Sequence, residues 1–92
     1  MLLAFVTVYQ DNIEEFYKGQ FATLLRYFRG SLGPQVYGSA EGKDLRLRMR
    51  NIEDQLAEGL ITGEEACNVL IDAVDQTGKK IDPTWDDPRA NA

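Results

Sequence analysis

The chain has 92 residues, 43% of them apolar and 27% charged, with a formal net charge of −5. That is enough for one small globular domain and too little for two. Histidine is absent and a single cysteine, Cys67, is present. This excludes histidine-based catalytic triads, histidine-bound metals, an internal disulfide, and thiolate zinc or iron–sulfur sites built within the chain.

The opening run, "LLAFVTVY" at 2–9, is rich in β-branched and aromatic residues and reads as a β-strand. The chain offers this strand no strong mate. The alternative is that Leu2, Val6, Tyr9 and Ile13 extend a helical stripe that follows. The run lacks a basic leader and a small-residue cleavage site, and Asp11 ends it well short of a bilayer crossing. The expectation is a cytoplasmic protein that does not enter membranes.

Ile13, Phe16, Tyr17, Phe21, Leu24, Leu25 and Phe28 recur at helical intervals, predicting a helix over about 12–29. Asp11 would cap its start, and Gly30 would lie just past its end. Residues 30–42, "GSLGPQVYGSAEG", read as a glycine-rich connection that Val36 and Tyr37 anchor to the core.

The segment "KDLRLRMR" at 43–50 holds four of the ten Lys and Arg residues. Its alternation of Leu and Met with Arg imitates a strand, but the alternation stops at Asn51. The three-to-four spacing of Leu45, Met49, Ile52, Leu56 and Leu60 continues, which predicts a helix over about 44–58 capped by Gly59. Arg50 and Asp54 then lie at ion-pair spacing. Arg46 and Arg50 share a face with Lys43 beside them, while Arg48 points away. "TGEE" matches a capping box, with Thr62 as N-cap and Glu65 three residues on. The stripe Ala66, Cys67, Leu70, Ala73 and Val74 predicts a helix over about 63–77, ended by Gly78. The last two helices are expected to form an antiparallel hairpin. Residues 79–92 should form an extended acidic tail in which Trp85 docks on its own domain or on a partner.

The fold class expected is mainly α: a single helical domain over 1–78 with a C-terminal helical hairpin and an N-terminal strand, or an α+β fold. Other chemical signatures fail. The glycine-rich stretches lack the spacing of a nucleophile elbow. Ala73 and Lys80 stand where a phosphate loop needs glycine and a hydroxyl. A calcium loop counted from Gly78 would place Ala73 where aspartate is required. Asp72 and Asp75, one turn apart, read as solvated carboxylates, and Cys67 as a buried structural thiol. No catalytic, cofactor or metal residue is expected.

Charge divides the chain. Residues 1–50 carry seven basic and five acidic side chains, and residues 51–92 carry three basic and ten acidic ones. The basic segment sits in a negative field and has no interleaved aromatics, so nucleic acid is a poor partner. The function expected is a non-enzymatic, self-associating interaction module, with Phe5, Tyr9, Phe16, Tyr17, Arg46, Arg50 and Trp85 as contact residues. The alternatives are a small acidic inhibitor or nucleic-acid mimic that presents the carboxylates of 53–87, and a weak RNA or DNA binder acting through 43–50. A small-molecule pocket between helices would leave no signature in such a sequence.

Overall fold

A computed structural model of the chain describes residues 2–31, 38–82 and 84–85, with side chains described from residue 12 onward. Among the described residues it contains three long helices: α1 (Leu2–Ser31), α2 (Ala40–Ala57) and α3 (Gly63–Ile81). The fold is mainly α, with no strand among the described residues.

The strand expected at 2–9 is not formed: those residues are the first turns of α1. Lacking a second strand, their backbone N–H and C=O groups pair within a helix instead. Asp11 therefore lies inside α1 rather than capping it, and Gly30 is its penultimate residue rather than lying past its end. The proposed anchors Val36 and Tyr37 lie outside the described residues.

α2 begins four residues before the expected start. Ser39 is its N-cap, and its hydroxyl accepts a hydrogen bond from the Gly42 N–H at 3.0 Å. At the other end the Leu60 N–H donates to Gln55 and the Gly59 N–H to Leu56. Together with φ +74° at Gly59, these bonds close α2 in a Schellman motif that only glycine adopts without strain. Leu60 belongs to this cap rather than to the helix and is 68% exposed, so it does not belong to the core stripe.

α3 starts on the capping box. The Glu65 N–H donates to the Thr62 hydroxyl, and the Thr62 N–H donates to the Glu65 carboxylate, each at 3.2 Å. The helix runs through Gly78 to Ile81 and ends at Asp82, its C-cap in extended conformation, so residues 79–81 are helical rather than part of an extended tail.

α1 and α2 each pack along α3 rather than chiefly against one another. The core joins Phe21, Leu25 and Phe28 of α1 to Leu45, Met49 and Ile52 of α2 and to Ala66, Cys67, Leu70, Ala73 and Val74 of α3. Leu45, Met49, Leu70 and Val74 are completely enclosed. Each such side chain contributes about 1.5–3 kcal/mol by leaving water.

Small residues on α3 let α1 approach closely. A Cβ added to Gly63 would sit 2.8 Å from the Lys18 backbone nitrogen and 2.9 Å from the Tyr17 Cβ. The Gly63 N–H donates to the Glu14 carboxylate, which places a negative charge at the positive end of the α3 dipole. Below it, the Cys67 thiol donates to the Tyr17 carbonyl at 3.4 Å.

Because the α1 backbone blocks a methyl group at 63, Gly63→Ala should force the helices apart. The expected cost is about 1–3 kcal/mol, from overpacking. Urea unfolding followed by circular dichroism should show a lower midpoint with helicity retained at zero denaturant.

Candidate functional site

The splay of α1 and α2 over α3 leaves a groove between them of about 730 Å³, lined by Arg29, Lys43, Arg46, Leu47, Arg50 and Glu53. Arg29 is on α1, and the rest project from α2 at helical spacing. Arg29 reaches Glu53 at 3.5 Å, tying the end of α1 to α2 across the groove. Leu47 in the groove wall is 63% exposed. Arg48 turns to the other side of α2, pairing with Asp44 at 3.0 Å and donating to the Gln76 side chain of α3 at 3.3 Å. The basic segment is therefore split between a groove and an interhelical contact. The ion pair expected between Arg50 and Asp54 is not formed among the described residues.

A second cluster lies at the far end of α3. Trp85 folds back over Gly78, whose missing side chain leaves room for the indole; a Cβ at 78 would strike the ring. The indole Nε1–H donates to Asp75 Oδ1 at 3.2 Å, and Lys79 Nζ meets Asp75 Oδ2 at 2.9 Å. Asp75 is only 5% exposed, which corrects its reading as a solvated carboxylate. Its charge is held by one ammonium and one indole N–H, so its burial is compensated. The turn leading to Trp85 is closed by Asp82, whose carboxylate accepts from the Thr84 N–H at 2.9 Å and the Thr84 hydroxyl at 2.7 Å. These two bonds lower the Asp82 pKa below the usual carboxylate range.

The sequence-derived contact residues are not gathered in one place. Phe16 is 59% exposed and meets half-buried Tyr17 edge-on, with ring centroids 5.4 Å apart. Arg46 and Arg50 line the groove, and Trp85 is committed to α3. The side chains of Phe5 and Tyr9 lie outside the described residues, although both positions belong to α1. Arg29 was not marked from sequence as a groove residue, since nothing in its local context signals a neighbour 24 positions away.

Of the carboxylates read as an acidic surface, Asp75 is buried, and Asp86 and Asp87 lie outside the described residues. Among the described residues no cluster of acidic or cysteine ligands has the geometry to hold a metal ion. Among them, too, no helix is long and apolar enough to cross a membrane.

Cys67 is buried, and its pKa is raised by that burial and, secondarily, by the Glu64 charge. A thiol whose pKa is higher in the folded state stabilises the fold fully below its unfolded pKa, about 8.5. That contribution is lost as pH rises through the higher folded value. Alkylation by iodoacetamide at mildly alkaline pH should therefore be much slower for the native chain than in urea.

Gly78→Ala should expel the indole from its seat. The emission of Trp85, the chain's only tryptophan, should shift to the red while the far-ultraviolet dichroism stays helical. No protein-family model matches this chain, and neither the curated proteins nor the solved structures contain a match to it.

Proposed function

We propose that the chain is a non-enzymatic protein–protein interaction module that associates with copies of itself. In this reading α2 and α3 form an antiparallel helical hairpin that serves as the scaffold, and α1 supplies the contact surface. The observation that carries it is the overhang of α1. Gly63, the first residue of α3, abuts α1 at Glu14, Tyr17 and Lys18. Residues 2–13 thus lie beyond the start of α3, a length of about 18 Å at 1.5 Å per residue.

That overhang carries the most apolar sequence in the chain, with Asp11 as its only charged side chain. Ile13 and Phe16 continue the apolar character onto the exposed surface where the bundle begins. Leu60, also exposed, lies in the α2–α3 connection only three residues before Gly63. Apolar surface concentrated at one end of a small protein is a signature of a contact site. Burying exposed Ile13, Phe16 and Leu60 against a second copy removes them from water.

Phe5→Glu combined with Phe16→Glu should abolish association while leaving the bundle folded, since Phe16 is exposed and position 5 lies on the part of α1 beyond the start of α3. Sedimentation velocity of the full chain should show a coefficient that rises with concentration, and that rise should vanish in the double variant. A compact monomer at high micromolar concentration would refute the reading.

A further inference from the structure

Resting on self-association as proposed above, we infer that the contact begun by α1 is completed by a second surface, two copies laying α2 antiparallel across α2 of the other copy. In this arrangement Arg46 of each copy faces Glu58 of the other, and Arg50 faces Asp54. The core face of α2 is Gly42, Leu45, Met49 and Ile52. Arg46, Arg50, Asp54 and Ala57 fall within an arc of about 80° on a different side of the helix, and all four are exposed. Lys43 lies within the same arc near the start of the helix, Leu47 flanks it on one edge, and Glu58 stands just beyond the last turn.

This face changes sign along its length. Its first half carries Lys43, Arg46 and Arg50, and its second half carries Asp54 and Glu58. A surface of that kind complements itself about a twofold axis, the symmetry of an isologous dimer. With the axis at the level of Ile52, the Arg46–Glu58 and Arg50–Asp54 pairs each occur twice. The same register sets exposed Leu47 of each copy against Ala57 of the other, where a small side chain admits close approach. A parallel arrangement would instead oppose Arg46 to Arg46 and Glu58 to Glu58.

Arg50, Asp54 and Glu58 form no ion pair among the described residues of one copy, although Arg50 and Asp54 have the spacing for one. The charges set register and orientation, and the two Leu47–Ala57 contacts bury apolar area beside them.

The test is a reciprocal charge reversal in the full chain, read by sedimentation equilibrium at low and high salt, with circular dichroism confirming helicity. Arg46→Glu with Arg50→Glu, and separately Asp54→Arg with Glu58→Arg, should each weaken self-association about tenfold or more at low salt. Each reversed chain alone opposes like charges at all four positions. Mixing the two variants restores all four attractions, so a heterodimer should form with an affinity close to that of the unmodified chain.

Reversed chains that associate as tightly as the unmodified one would overturn the α2 contact while leaving self-association intact. A mixture no tighter than its separate components would likewise overturn it. An unmodified chain that stays monomeric at every concentration would instead remove both readings together.

Discussion

Everything in this fold rests on how closely α1 can approach the start of α3. The contact works because position 63 has no side chain, so the Gly63 backbone reaches the α1 main chain at Lys18. Glu14 then caps the approach by accepting the Gly63 N–H, and Cys67 repeats the motif one turn later by donating to the Tyr17 carbonyl. With α1 set at this height, Phe21, Leu25 and Phe28 reach the same apolar cluster that α2 fills from the other side. The groove is a by-product. Two helices leaning on a third leave a trough between them, and exposed α2 side chains that face away from α3 line it.

The sequence resolves this architecture unevenly, for physical reasons. Local signals were the most legible. Thr62 and Glu65 form the capping box that their spacing implies, and Gly59 adopts the left-handed conformation that ends α2. Such motifs close within a few residues, so no distant partner is needed to read them. The α2 stripe of Leu45, Met49 and Ile52 was legible for the same reason.

Errors arose where composition competes with context. The β-branched run at 2–9 favours a strand intrinsically, yet a strand needs a mate and a helix does not. Glycines at 38 and 42 disguised a helix start that Ser39 in fact caps. Gly78, read as a helix end, lies within α3 as the seat of an indole. Asp75 looked solvated because the group that buries it, Trp85, arrives from ten residues downstream. Of the candidate site, the pairing of Arg46 with Arg50 on one face followed from helical geometry alone. The part played by Arg29, which depends on how α1 and α2 splay, did not.

The dependence of both outer helices on α3 also bears on how the chain is made. α3 is synthesised after both α1 and α2, and neither of them has a full apolar partner until it emerges. A nascent chain that stops before Gly63 therefore carries two amphipathic rods with nothing to close over them. Folding of the bundle waits until α3 has emerged, and a product terminated before Gly63 is exposed to chaperones and proteases rather than stored as a half-built domain.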